Sequence, residues 1–152
     1  MTLGISVLLP FGNPVSGQQP SPTATTFRTA QATAAMALYQ SGLKLLDEER
    51  YAEAVKEFSA ALRHDPTLAI AYNGRGYAHL RLRHYGEAIL DFDQAIRLNP
   101  LYANAYRNRG VARRSSGDKN GANEDLAKAS EFARRKAPVL DTDSGSPKPK
   151  RP

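Results

Sequence analysis

The sequence predicts an all-α fold, an α-solenoid of three helix-turn-helix hairpins with disordered N- and C-terminal segments. Three observations predict it. The first is internal repetition. Sliding Tyr72–Pro100 by 34 residues in either direction brings Gly42, Gly76 and Gly110 into register, with Ala54, Ala88 and Ala122, then Ala61, Ala95 and Ala129. Phe58, Phe92 and Leu126 align as well, as do Pro66 and Pro100. The second is period: each copy holds two runs of apolar residues at helical spacing, separated by a short polar turn. The third is composition. At 152 residues, 41% hydrophobic and 24% charged, the chain suits one domain or a short repeat array, not a wholly disordered polymer. A helical hairpin with one apolar flank cannot bury that flank alone, so its stability comes from stacking on copies of itself.

Taken in order, residues 1–28 open with the apolar run MTLGISVLLP and continue rich in Pro, Ser and Thr. Two readings stand open. Residues 1–17 fit the apolar region of a secretory signal cleaved before Gln18, with a linker beyond, which would place the protein outside the cytoplasm. No Lys or Arg precedes the run, however, so a loose N-terminus on a cytoplasmic protein fits equally. Pro10, Pro14, Pro20 and Pro22 exclude regular helix over 10–24.

From about Thr29 the periodicity is helical, with Ala35, Met36, Leu38, Tyr39, Leu43, Leu45 and Leu46 forming a broad apolar surface. The acidic turn Asp47-Glu48-Glu49-Arg50 leads to a second run carrying Ala54, Val55, Phe58, Ala61 and Leu62. Asp65-Pro66 stops it, because a residue before proline is pushed out of the helical region. The cycle then recurs, with helices near 69–82, 86–98, 103–115 and 121–136. Within 29–137 the copies occupy about 35–68, 69–102 and 103–136. The tail, 138–152, is proline-rich and almost without apolar residues, which predicts disorder. It is also basic: residues 134–152 hold six Lys and Arg against two Asp, most of the chain's net +6.

The middle copy places Tyr72, Arg75, Gly76, His79, Ala88, Phe92 and Pro100 at the marker positions W-x2-L-G-x2-Y…A-x3-F…P. The first offers Leu38, Ser41, Gly42, Leu45, Ala54, Phe58 and Pro66. The third offers Tyr106, Arg109, Gly110, Arg113, Ala122 and Leu126, with Arg134 where proline would stand. On these residues the unit resembles a tetratricopeptide repeat. Gly and Ala occur where paired helices approach too closely for larger side chains, and Phe or Leu fills the gap between them.

Two departures carry expectations. Arg75 and Arg109 replace the Leu of the pattern, and each precedes an Asp, Asp91 or Asp125, by sixteen residues. That spacing predicts an ion pair between the two helices of a hairpin, worth ~0–1 kcal/mol if exposed. Asn123 and Ser130 replace the apolar Val55 and Leu62, or Ile89 and Ile96, of the earlier copies. A polar outer face predicts that the array ends at three.

The resemblance implies a concave groove lined by the first helix of each unit, where a protein or peptide partner docks. Carried onto this sequence, the groove comprises Met36, Tyr39, Gln40 and Leu43, then Asn73, Tyr77 and Arg81, then Asn104, Arg107, Asn108, Val111 and Arg114. It runs from apolar to cationic, which suits an acidic partner. Some members of the family grip a chaperone's C-terminal carboxylate with Lys and Asn in the first unit. Tyr39 and Leu43 stand there in this chain.

Catalytic, cofactor and metal sites find no support. The chain has no Cys, and His64, His79 and His84 lack the i,i+4 spacing of a helical metal site. Gly74-Arg75-Gly76 falls inside a helix rather than in a phosphate loop. No apolar run reaches the ~20 residues that span a membrane. The expected function is therefore non-enzymatic protein interaction. The alternative is binding to nucleic acid or another anionic surface through Arg113, Arg114, Arg134, Arg135, Lys136 and the basic tail, which lacks aromatic residues to stack bases. Oligomeric state stays open, including docking of the N-terminal segment in its own groove or that of another chain.

Overall fold

The computed structural model of the protein describes residues 24–136. The expectations for 1–23 and for 137–152, the signal, linker and tail, lie outside the described residues. Six helices follow in order: α1 (Ala24–Asp47), α2 (Tyr51–His64), α3 (Ala69–Arg81), α4 (Tyr85–Leu98), α5 (Ala103–Ser115) and α6 (Lys119–Lys136). There is no strand among the described residues. α1 starts five residues ahead of the expected Thr29, which corrects both the exclusion of helix over 10–24 at its last residue and the placing of 24–28 in the N-terminal segment: Ala24 lies past the last proline, Pro22.

The helices pair as α1–α2, α3–α4 and α5–α6, and successive hairpins join through α2–α3 and α4–α5. α1 also touches α3, and α3 touches α5, so the three first helices stand side by side.

Each hairpin turns by the same backbone device. Arg50, His84 and Asp118 donate their amides to the carbonyls of Leu45, His79 and Arg113, five residues back, at 2.8, 2.9 and 2.9 Å. The residue before each donor is left-handed: Glu49 at φ 58°, Arg83 at φ 63° and Gly117 at φ 100°. This is the Schellman stop, in which the orphan carbonyls of a helix end are satisfied. Between hairpins, the carboxylate of Asp65 and the amide oxygen of Asn99 accept from the backbone N–H of Thr67 and Leu101 across the prolines, at 2.9 and 3.2 Å. These side chains set the angle from one hairpin to the next.

Packing explains the markers. Phe58 and Phe92 are fully buried, with Ala54, Ala61, Ala88 and Ala95 beside them. A Cβ added to Gly42 would lie 2.6 Å from the Phe58 ring, and one added to Gly74 would lie 2.7 Å from it on the other side. Phe58 is thus clamped between its own hairpin and the next. Leu126, in the third copy, is only half-buried.

The expected ion pairs form, and they are enclosed rather than exposed, with buried carboxylates and half-buried guanidiniums. Arg75 grips Asp91 with two bonds of 2.9 and 2.6 Å, and its remaining nitrogen donates to Ser59 Oγ on α2 at 3.1 Å. Arg109 repeats the arrangement, holding Asp125 at 2.9 and 2.6 Å and reaching Asp93 on α4 at 2.5 Å. Each guanidinium therefore ties three helices across two hairpins. Asp125 is 1% exposed and takes a further bond from Arg113 at 3.0 Å. The hydrogen-bonded carboxylates of Asp91 and Asp125 hold Arg75 and Arg109 above the usual guanidinium range.

Asn123 and Ser130 are exposed on the outer side of α6, as their polarity predicts. α6 runs four residues past the position where α2 and α4 stop. The cause is Arg134, which lets the helix continue where Pro66 and Pro100 end the earlier copies.

Candidate functional site

The inner row of α1, α3 and α5 carries the residues expected to line a groove. The 34-residue register sorts most of them into ranks: Met36 with Ile70 and Asn104, Tyr39 with Asn73 and Arg107, Leu43 with Tyr77 and Val111. Met36 and Val111 are exposed although apolar. Gln40, Arg81, Asn104, Arg107 and Arg114 are exposed, while Tyr39, Leu43, Asn73, Tyr77 and Asn108 are half-buried.

Several already have protein partners. Asn108 Nδ2 donates to Asn73 Oδ1 at 3.0 Å, joining α5 to α3 across the row. Arg81 donates to the Tyr77 hydroxyl at 3.1 Å and lies 4.5 Å above the Tyr51 ring, a cation held over an aromatic face. Tyr39 and Leu43 pack against the Phe58 core, so they contribute to folding as well as to the surface. Arg114 approaches Asn123 at 3.4 Å. Arg107 is the freer cation, with only a 3.5 Å contact to Asn104.

An open cleft of about 710 Å³ lies at the N-terminal ends of α3 and α5. Ile70, Leu101, Tyr102 and Phe132 give it apolar walls, and Asn104 and Arg135 supply polar groups. The Tyr106 ring meets Phe132 edge-on at 5.3 Å and backs one wall. Burial pushes the Tyr102 phenol above its ordinary range, and the Tyr39 phenol raises it further. Leu101 is 64% exposed beside the cleft.

Ile70, Tyr102, Phe132 and Arg135 were not expected in the site. Ile70 was readable, since it shares the register of Met36 and Asn104. Arg135 was not, because it lies on the stretch of α6 that continues past Arg134, and Phe132 takes the register place of His64 and Leu98, so no repetition marks it.

On the opposite flank of the middle hairpin, a cavity of about 270 Å³ is lined by Ser59, Arg75, His79, Glu87, Leu90 and Asp91. It surrounds the first ion pair. Burial pushes His79 below the usual imidazole range, and its Nδ1 has no hydrogen-bond partner. Among the described residues, no group of three or more His, Asp or Glu is placed to hold a metal ion. No described helix is long and apolar enough to cross a membrane.

A model described as "Tetratricopeptide repeat" matches residues 69–102, and one described as "TPR repeat" matches 42–82. No curated protein matches the chain. Among solved structures, the first TPR of Spaghetti (RPAP3), bound to the HSP90 peptide SRMEEVD, is 27% identical with a TM-score of 0.67. The match covers 68% of this chain and 82% of that one. The second TPR domain of human RPAP3, in complex with the HSP70 peptide SGPTIEEVD, is 27% identical with a TM-score of 0.64, covering 70% and 87%. MamA, at 23% identity and a TM-score of 0.64 over 74% and 66% of the two chains, shares the fold.

Proposed function

Because the chain belongs to the tetratricopeptide-repeat family, we propose that it is a non-enzymatic interaction module that binds a peptide or partner protein along the inner row of α1, α3 and α5. The observation that carries this reading is the open cleft of about 710 Å³ at the end of that row, apolar on its walls and edged by Asn104 and Arg135. Such a site suits an extended segment that seats a bulky apolar side chain and offers carboxylates to nearby cations.

An acidic partner fits the cationic third rank. Exposed Arg107 stands beside Asn104, and structural relatives hold peptides ending in Glu-Glu-Val-Asp. The mode of grip differs here, since Tyr39 and Leu43 occupy the places that would need Lys and Asn. Binding to nucleic acid has less support. Arg113 is engaged by Asp125, and Arg135 by Glu131, which leaves fewer cations free for phosphates.

A peptide-display selection on the full chain tests the proposal. The expected outcome is enrichment of sequences with an apolar anchor next to acidic residues. Affinity for the selected peptides should fall on Ile70→Asp and on the double change Arg107→Glu, Arg114→Glu. Selected peptides that bind both variants unchanged would place the site elsewhere.

A further inference from the structure

The third hairpin ends in a junction that is half built. In the register of the repeat, Arg107, Val111 and Arg114 on α5 stand where Asn73, Tyr77 and Leu80 stand on α3. On α3 that edge is covered by the next first helix: Asn73 bonds Asn108 of α5 at 3.0 Å, and Leu80 packs against the cluster that includes Ala112. On α5 no described helix follows to cover it. Val111 is 44% exposed, and Leu126, the counterpart of fully buried Phe58 and Phe92, is half-buried. We infer that this end face is a second docking surface, and that it takes an acidic amphipathic helix of a partner protein in the place of a fourth first helix. The surface adjoins the groove at Arg107 and does not depend on the cleft.

Charge decides the chemistry of the occupant. α3 and α5 contain no acidic residue. Arg109 and Arg113 are held by Asp125, whereas Arg107 and Arg114 reach only the neutral Asn104 and Asn123 among the described residues, at 3.5 and 3.4 Å. At the inner junctions the incoming helix brings the cation: Arg75 meets Ser59, and Arg109 meets Asp93, on the helix before. The same place on α6 is Ala127, exposed and without an acceptor in its side chain. The polarity of the junction is therefore reversed at the end of the array, and the incoming helix must bring the carboxylates.

Spacing decides its shape. Arg107 and Arg114 lie one heptad apart, so they share a face of α5 with ~10.5 Å of rise between them. Carboxylates one heptad apart on a packed helix recur at that interval, with an apolar residue between them to meet Val111. A strand repeats same-face side chains every ~6.8 Å and matches the interval less closely. The inner copies supply the precedent, since a helix already stands at this place against α3. A second copy of this chain does not meet the requirement. Stacked head to tail it would present α1, whose one acid is Asp47 at the C-terminal end.

A library displayed on a single-helix scaffold and selected against the full chain tests this. The expected winners carry Asp or Glu at i and i+7 with an apolar residue at i+3 or i+4. By NMR they should shift the amides of Val111, Arg114 and Ala127 more than those of Ile70 and Tyr102. Arg107→Gln and Arg114→Gln should each weaken binding by up to about fivefold, the range of an exposed pair. Ala127→Trp should block the seat, while Ile70→Asp leaves binding unchanged. A selection that enriches no helix, or winners without the paired acids, overturns the inference. So does equal binding by a winner whose two acids are moved to its opposite face. Light scattering that shows a dimer with the same amides covered also overturns it, because a second copy would then be the occupant. Loss of binding on Ile70→Asp would put the helix in the cleft, so the end face falls and the groove stands. Helices that bind as expected, while the peptides of the earlier selection ignore Ile70→Asp, leave the end face standing without the groove.

Discussion

At the scale of single residues, the three hairpin turns pose the same steric problem and solve it differently. Position 49, 83 or 117 must be left-handed for the stop to close, and only the third copy supplies glycine. A side chain in that region costs about 1–2 kcal/mol, partly offset because glycine loses more freedom on folding. Arg83→Gly should therefore raise the unfolding free energy by about 0.5–1 kcal/mol. Urea denaturation checks this, and a loss of stability would show that the Arg83 side chain contributes a contact of its own. His79 poses an electrostatic problem instead. Burial lowers its pKa in the folded state, against favourable Asp91 and Glu87 and unfavourable Arg75 and His84. The unfolded chain therefore binds the proton more readily, and folding resists it. The contribution is fully present above about pH 6.5, the ordinary histidine value, and is lost as pH falls toward the lowered folded value. His79→Gln should flatten the stability-versus-pH curve over that interval, as thermal melts across the range would report.

At the scale of elements, the arginine ties make each hairpin depend on the one before it. Arg75 reaches from α3 to both α2 and α4, and Arg109 from α5 to both α4 and α6. Asp125 is the most enclosed member, and two guanidiniums converge on it. Asp125→Ala should cost about 3–5 kcal/mol, because it strands partly buried cations rather than merely removing a surface pair. A loss under about 1 kcal/mol in chemical denaturation would return the pair to the ordinary exposed class. The pairing was legible in the sequence, since sixteen residues separate Arg from Asp in both copies. Its burial was not, because Ser59 and Asp93, the extra acceptors, sit on a helix of the preceding copy. The same limit hid Gly74. Its register partners are Gln40 and Asn108, so no repetition marks it, although it meets Phe58 as closely as Gly42 does. Repeats reveal what each unit needs and stay silent on what only one junction needs. The cleft follows that rule: Asn104 was visible on the inner row, while Phe132 replaces His64 and Leu98 of the earlier copies and Arg135 enters through one missing proline.

At the scale of the whole molecule, an array held by nearest-neighbour contacts need not open as one body. The hairpins here are unequal. Phe58 and Phe92 are fully buried in the first two, whereas Leu126 is half-buried in the third. α6 also turns Asn123 and Ser130 outward, with no described helix beyond them. Apolar burial sets most of the free energy of local opening, so protection should fall from the middle of the array toward its C-terminal hairpin. Native-state hydrogen exchange should find the amides of α2, α3 and α4 opening near the global unfolding free energy, and those of α5 and α6 below it. Asp125→Ala sharpens the test. If the third hairpin is a separate cooperative unit, its amides lose protection on that change while those of α2 and α3 keep theirs. An equal drop in every helix would mean that Arg109, by holding Asp93 and Asp125 together, fuses the hairpins into one unit. The inner row would then be a rigid docking surface along its full length rather than one whose cationic end opens independently.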